Sequence, residues 1–225
     1  MAASEVGADR ERDVNDGLAT VGAKLNALLA DAAPAALNAA TARKFEVYLS
    51  LILRWNARLN LTSVRAEDAI IYLHLSESVA CAKAIPNGVR TLLDFGSGAG
   101  LPGIPIALCR PEIAVTLAES RGKKAAFLQE AVRVLGIDAK VYADRAEKLG
   151  AVFDCVVLRA VDKMPKAVRV AAGLVSTKGW LALMTTGAEL PKLQEAAGKE
   201  LSWPIRIPLP KSTDRIIAIG SRQIR

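Results

Sequence analysis

The stretch from Leu92 to Gly103, Leu-Leu-Asp-Phe-Gly-Ser-Gly-Ala-Gly-Leu-Pro-Gly, gathers an acid, a hydroxyl and Gly96, Gly98, Gly100 and Gly103 in one place. Glycines let a backbone take left-handed angles and approach a ligand where a Cβ would stand in the way. Pro102 suits the first turn of a following helix. At the carboxyl end of the first strand of an open α/β sheet, such a loop is where nucleotide-like ligands bind. Glu119 follows about 20 residues later, where a carboxylate accepts hydrogen bonds from both hydroxyls of a ribose. Asp144-Arg145-Ala146-Glu147 offers polar groups where an adenine edge would lie. Each feature also has a plain reading: a glycine-rich turn, a helix cap, a solvated turn.

Gly98, Gly100 and Gly103 also spell G-x-G-x-x-G, the dinucleotide fingerprint. In that register the first glycine should follow the strand directly, yet Gly96 holds that place. Asp94, just before it, would sit badly beside a pyrophosphate and well beside the cationic methionine half of S-adenosylmethionine. The loop therefore favours the methyl donor, and an NAD(P)-dependent oxidoreductase is the alternative. No Tyr-Lys or His-Asp pair marks hydride chemistry.

Methyl transfer from a sulfonium is an in-line displacement whose catalysis comes largely from alignment and electrostatics. The acceptor decides whether a base is needed. Enzymes acting on exocyclic amines often carry Asn-Pro-Pro-aromatic after the fourth strand; here the segment is Leu158-Arg159-Ala160-Val161. Cys155, a conceivable nucleophile for a pyrimidine carbon, falls mid-strand and reads as core. Guanine N7 has an in-plane lone pair and no proton at neutral pH, so the missing base motif is consistent with N7 and with other undemanding acceptors. Arg159 reads either as a charge-organising residue near the cofactor or as half of a buried ion pair with Asp154 or Glu147. His74, the only histidine, lies on a helical pattern between Leu73 and Leu75 and reads as a structural or a site residue. Arg121, Lys123, Lys124 and Arg133, with Arg54, Arg58 and Arg65 upstream, are solvated faces or phosphate contacts; the latter would make binding fall steeply with salt.

These groups need a frame. Short runs that are apolar throughout, at Thr91 to Phe95, Ala114 to Leu117, Lys140 to Tyr142, Cys155 to Leu158 and Trp180 to Met184, alternate with helical stretches, as parallel strands buried on both faces do. A doubly wound, mostly parallel α/β sheet with right-handed crossovers follows. Trp203 to Ile207 and Arg215 to Ile219, separated by Pro208 and Pro210, predict an antiparallel hairpin at one edge. Upstream, Leu18, Val21, Leu25 and Leu28, then Phe45, Leu49, Ile52 and Leu53, recur at helical spacing, with Pro34 placed to open the second helix. Asn60 to Ser63 predicts a turn before a helix from about Glu67 to Ala84, and Pro86-Asn87-Gly88 a break. The expected organisation is a flexible N-terminus over residues 1–16, a helical extension over 17–88 and a cofactor-binding core over 89–225.

The 225 residues are 52% hydrophobic, enough for one sizeable core, and Lys plus Arg exceed Asp plus Glu by 30 to 23, giving a net charge of +7. That balance admits a polyanionic partner such as nucleic acid. Cys81, Cys109 and Cys155 are scattered, with no pair at metal-ligand spacing, so no metal is expected and a reducing cytosol fits. The polar N-terminus lacks a secretory core and no stretch reads as membrane-spanning, so a soluble cytoplasmic protein is expected. Nothing marks a coiled-coil seam, and a monomer is expected.

The residues resemble the bacterial small-subunit (16S) rRNA guanine-N7 methyltransferases, formerly called glucose-inhibited division protein B. The resemblance lies in D-x-G-S-G-A-G-x-P-G-I-P-x-A from Asp94 to Ala107, in Lys123-Lys124, Phe127-Leu128 and Arg145-Ala146-Glu147, and in Phe153-Asp154 leading to Arg159-Ala160. Trp55-Asn56 and Asn60-Leu61-Thr62 resemble the family's W-N-x-x-x-N-L-T element, and His74 its histidine before the core. The resemblance implies methyl transfer from S-adenosylmethionine to N7 of a guanine in 16S rRNA, with the RNA or the small ribosomal subunit as partner. It implies that Gly96, Leu101, Ala146, Glu147 and Arg159 line the cofactor pocket, beside Asp94, Ser97, Gly98, Gly100 and Glu119, and that Asn60, His74 and Arg145 belong to the rim or the guanine contacts. A non-catalytic RNA-binding protein that keeps the fold is a further alternative, disfavoured because loop and Glu119 are intact together. Two departures stand out: the family's Asp after the histidine is Glu77, and its Lys-Gly after the fifth strand is Thr186-Gly187, so no role of that lysine carries over.

Overall fold

The computed structural model describes residues 21–27, 37–210 and 212–222. The expectations for residues 1–16, for Leu18 and Leu28, and for Pro34 lie outside them. Helix α1 covers residues 21–27, with Val21 and Leu25 buried. Helix α2 (Ala39–Asn56) starts where the Asn38 side chain accepts the Thr41 N–H at 2.8 Å, satisfying one of the donors a helix start leaves open.

The predicted helix from Glu67 to Ala84 is present but not regular. It runs as α3 (Glu67–Ile70), a π-helical turn (Ile71–Leu75) and α4 (Ser76–Ala84). Within it the Ser76 hydroxyl donates to the Tyr72 carbonyl and the Ser78 hydroxyl to the His74 carbonyl, and the Arg159 guanidinium donates to the carbonyls of Leu73 and His74. Serine back-bonding and an inserted side chain both disturb an α-helical ladder, and π-turns often mark functional sites.

The core elements follow as β1 (Thr91–Phe95), α5 (Gly103–Cys109), β2 (Ala114–Ala118), α6 (Gly122–Leu135), β3 (Ala139–Tyr142), a 3-10 turn (Ala146–Lys148), β4 (Phe153–Arg159), α7 (Met164–Gly173), β5 (Val175–Thr186), α8 (Leu190–Ala197), β6 (Leu201–Pro208) and β7 (Arg215–Arg222). They form one seven-stranded sheet in the order β3-β2-β1-β4-β5-β7-β6. Neighbours from β3 to β5 are parallel, and β7 runs antiparallel to both β5 and β6. The edge hairpin is therefore present, with its second strand inserted next to β5.

Alternate strand residues point to opposite faces, and both faces are covered. Leu92, Val115, Leu117, Cys155 and Val157 meet Phe45 of α2, Val79 of α4, Ile104 of α5 and Phe127 of α6. Leu93, Phe95, Val156 and Leu158 meet Val168 of α7 and Leu193 of α8. Phe45, Tyr48 and Ile52 of α2 are fully buried, each contributing about 1.5–3 kcal/mol by area. Helix α2 thus packs into the same hydrophobic cluster as the sheet.

Candidate functional site

The β1 strand ends at Phe95, and Gly96 follows directly with φ +75°; Gly98 and Gly100 are also left-handed, at +57° and +82°. A Cβ on Gly103 would lie 2.3 Å from Leu117 and 2.5 Å from Asp94, so a glycine is needed for α5 to approach the sheet. The loop is pinned from three sides. Gly98 N–H donates to Glu119 at 3.0 Å, Ser97 Oγ donates to the Asp94 carbonyl at 3.0 Å, and Tyr48 Oη donates to the Ala99 carbonyl at 2.5 Å.

Around this loop opens a cavity of about 760 Å³, within the range of small-molecule and cofactor sites. Gly96, Ser97, Gly98, Ala99 and Leu101 line one wall. Phe95, Ala118, Ala146, Val161, Ala167 and Val170 give it an apolar slot, and Glu119, Arg145 and Glu147 border that slot. Glu119, directly after β2, is 7% exposed and still lines the cavity. Its two oxygens accept the N–H groups of Gly98 and Arg121, and each keeps a lone pair, as a ribose diol would require.

Arg159, the last residue of β4, lines the same cavity. Its Nη2 stands 2.8 Å from the Leu73 carbonyl, 2.9 Å from Glu77 Oε2 and 2.9 Å from His74 Nδ1. Nη1 adds the His74 carbonyl and Ser78 Oγ at 3.3 Å. The Glu77 side chain is 2% exposed and also meets Arg215 Nη1 from β7 at 2.6 Å, at an angle that gives an ion pair without a hydrogen bond. Burial pushes the Glu77 carboxyl above its usual range, and the two guanidiniums oppose that rise. The ion pair foreseen for Arg159 exists, but with Glu77; Asp154 instead accepts the N–H groups of Arg90 and Thr91.

His74 lines the cavity and is held neutral: burial first, then the Arg159 charge, push its imidazole down to about 4. Its Nε2 is 2.7 Å from Thr62 Oγ1. Both ring nitrogens of His74 are thus within hydrogen-bond distance of a side chain.

Most of the expected site residues come together here. Gly96, Ser97, Gly98, Leu101, Glu119, Arg145, Ala146, Glu147, His74 and Arg159 all line the one cavity. Three do not. Asp94 is 1% exposed beneath the loop, where its Oδ2 accepts the Gly103 N–H at 3.1 Å, and burial raises its carboxyl to about 7. It holds the start of α5 and lies outside the cavity wall, where a charge lining the ligand site was expected. Gly100 turns its α-carbon toward Ile104 and Tyr48, where a Cβ would lie 2.5 and 3.0 Å away, so its φ of +82° and this packing together favour a glycine there. Asn60 accepts from Arg65 at 2.9 Å outside the cavity, and its neighbours Leu61, Thr62 and Ser63 line the wall instead.

Sequence reasoning missed Tyr48, Thr62, Glu77's bridging position and the loop from Ala160 to Lys163. That loop lines the cavity with two non-glycine residues at positive φ, Ala160 at 48° and Lys163 at 51°, a conformation that costs energy and gathers at functional sites. Tyr48 carried a signal, an aromatic ring with a polar tip on an otherwise apolar helix face, and Thr62 and Glu77 stood in the quoted motifs without a role attached.

A sheet of this strand order, with a glycine loop after β1, an acid after β2 and helices on both faces, is the Rossmann-like fold of class I methyltransferases. The ribosomal protein L11 methylase from Lactobacillus delbrueckii subsp. bulgaricus shares it, with a TM-score of 0.56 at 14% identity over 68% of this chain and 80% of that one. In sequence, the chain is 43% identical over 151 residues to a ribosomal RNA small subunit methyltransferase G of Xanthomonas euvesicatoria, covering 66% of this chain and 70% of that protein. It is 40% identical over 179 residues to the protein of the same name from Stenotrophomonas maltophilia, covering 78% and 82%. The family model for rRNA small subunit methyltransferase G matches residues 41–203, and the chain belongs to that family.

Proposed function

We propose that this protein transfers a methyl group from S-adenosylmethionine to N7 of a guanine in 16S ribosomal RNA, without a dedicated general base. The observation that carries the reading is the continuity of one cavity from the Gly96–Leu101 loop and Glu119 to Arg159, His74 and Thr62. The cofactor fits the groups present: bare loop backbone for the methionine half, Glu119 for the ribose, and Ala146, Ala167 and Val170 for the adenine. A donor held there would supply a sulfonium methyl to an acceptor lone pair, the C–S bonding electrons staying with sulfur.

The chain's own part is alignment and charge. Arg159 and Glu77 hold the cavity wall rigid across three elements, and His74, neutral with both nitrogens engaged, takes no proton. An acceptor with its own lone pair and no proton to lose, such as guanine N7, suits that arrangement. Arg121, Lys124, Arg145, Lys163 and Lys166 ring the cavity, where phosphates of a folded RNA would meet them. The helical stretch ahead of the sheet frames the RNA entrance, and the small ribosomal subunit or its RNA is the partner of a cytoplasmic, monomeric enzyme. Among the described residues, no helix is long and apolar enough to cross a membrane. The family gives no support to the NAD(P)-dependent or non-catalytic alternatives.

The test is mass spectrometry of 16S rRNA nucleosides from cells with and without the protein. Loss of a 7-methylguanosine in its absence is expected; loss of a different methylated nucleoside overturns the choice of acceptor.

A further inference from the structure

Thr62 sits at the end of a chain of polar contacts that fixes the direction of its hydroxyl proton. Arginine is a donor only, and Arg159 Nη2 shares its two hydrogens among the Leu73 carbonyl, Glu77 Oε2 and His74 Nδ1 at 2.9 Å, which assigns Nδ1 as a bare acceptor. A neutral imidazole has one N–H, which is therefore on Nε2 and donates to Thr62 Oγ1 at 2.7 Å. The Val64 N–H donates to the same oxygen at 3.1 Å. Two lone pairs are thereby used, and the hydroxyl cannot accept again. Its proton is the one hydrogen-bonding capacity left, and Thr62 lines the cavity.

We propose that Thr62 is a specificity-determining residue whose hydroxyl donates to O6 of the target guanine, with His74 and Arg159 acting through it as positioning residues. The proposal rests on the guanine-N7 reading above. The edge of guanine that carries N7 presents two acceptors, N7 and O6. N7 must keep its lone pair for the methyl carbon, so a donor can engage only O6. Adenine presents its N6 amino group at that place, a donor. A hydroxyl free to turn would accept from it, but Thr62 has no lone pair left to do so. The Arg159–His74–Thr62 chain thus converts an adaptable hydroxyl into a fixed donor.

The test pairs two enzymes with two substrates. The substrates are 16S rRNA carrying guanine, or 2-aminopurine, which keeps N7 but lacks O6, at the nucleotide that the wild-type enzyme methylates. The enzymes are the full chain and Thr62→Val, which keeps the shape and removes the donor. Wild type should lose roughly tenfold to a hundredfold in kcat/KM on 2-aminopurine beyond what Thr62→Val loses. Thr62→Val should lose a similar factor on guanine and treat the two substrates alike, and Thr62→Ser should recover most of the guanine rate. Affinity for S-adenosylmethionine, read by calorimetry, should be unchanged in both variants. A Thr62→Val enzyme that loses the same factor on both substrates overturns the proposal. If the variant fails to fold, wild-type discrimination between the substrates decides alone, and none overturns it. A wild-type enzyme that methylates no guanine at N7 fails the function reading itself, an outcome distinct from either.

Discussion

The hydroxyl of Tyr48, fully buried on α2, donates to the carbonyl oxygen of Ala99 at 2.5 Å, across 51 residues of chain. It ties the helices ahead of the sheet to the loop that faces the cofactor. Tyr48→Phe keeps the ring and leaves the buried carbonyl without its donor, a loss of about 1–3 kcal/mol. Affinity for S-adenosylmethionine should fall several-fold along with stability in denaturant titration. Unchanged affinity in the folded variant would show that the loop does not depend on this tie.

Gly96 has φ +75°, and a Cβ there would stand 3.2 Å from Val161 on the facing loop. Gly96→Asp adds backbone strain of about 1–2 kcal/mol, a displaced Val161 and a second negative charge near Glu119. Cofactor binding should drop by well over tenfold in a protein that still folds. Normal affinity in folded Gly96→Asp would sink the assignment of the loop.

As the only histidine, His74 gives one imidazole signal. Nitrogen-15 spectroscopy should find Nε2 protonated, Nδ1 bare, and a midpoint at about pH 4. The native state then binds fewer protons than the unfolded chain between about pH 4 and the ordinary value of 6.5, so this group's stabilisation is complete above 6.5 and is lost as pH falls through 4. A midpoint near 6.5, or a proton on Nδ1, would break the chain of contacts that leads to Thr62.

Asp94 works in the opposite sense. Its folded carboxyl is raised by burial from 3.8 to about 7, so the native state binds more protons across that window and stability falls as pH rises through it. Asp94→Asn keeps an acceptor for the Gly103 N–H and removes the charge. The variant's stability relative to wild type should climb between pH 4 and 7, by roughly 2 kcal/mol or more in total. A pH-independent difference would show that Asp94 is ionised at ordinary cost.

Arg159 and Glu77 form a pair whose side chains are 13% and 2% exposed. Arg159→Ala leaves the Glu77 carboxylate with Arg215 alone and should cost about 3–5 kcal/mol in stability. Loss of activity in that variant is therefore not evidence of a role at the site. Combining Arg159→Met with Glu77→Gln should restore much of the stability while methyl transfer stays depressed. Recovery of both would make the pair purely structural.

The fold was legible where the signal is local. The β1 boundaries, Thr91 and Phe95, follow from an apolar run between a turn and a glycine. The start of β5 was not legible: the strand begins at Val175 rather than Trp180, because Ser176, Thr177, Lys178 and Gly179 enter through a bulge, with Lys178 at φ +66°. Nor was the π-turn around His74, where the Leu73 and His74 carbonyls accept from Arg159, 86 and 85 residues away. At the site, residues that line a loop or follow a strand end were found from pattern. Side-chain direction was not: Asp94 points under the loop and Asn60 away from the cavity because each finds a backbone or arginine partner there.

The proposed chemistry is a methyl donor held in one cavity and presented to guanine N7. It is tested most directly by incubating the purified protein with methyl-labelled S-adenosylmethionine and small ribosomal subunits from cells lacking it, then digesting the RNA and identifying the labelled nucleoside. The label is predicted in 7-methylguanosine of 16S rRNA. Label in any other nucleoside, or none transferred by a protein that binds the cofactor, would contradict it.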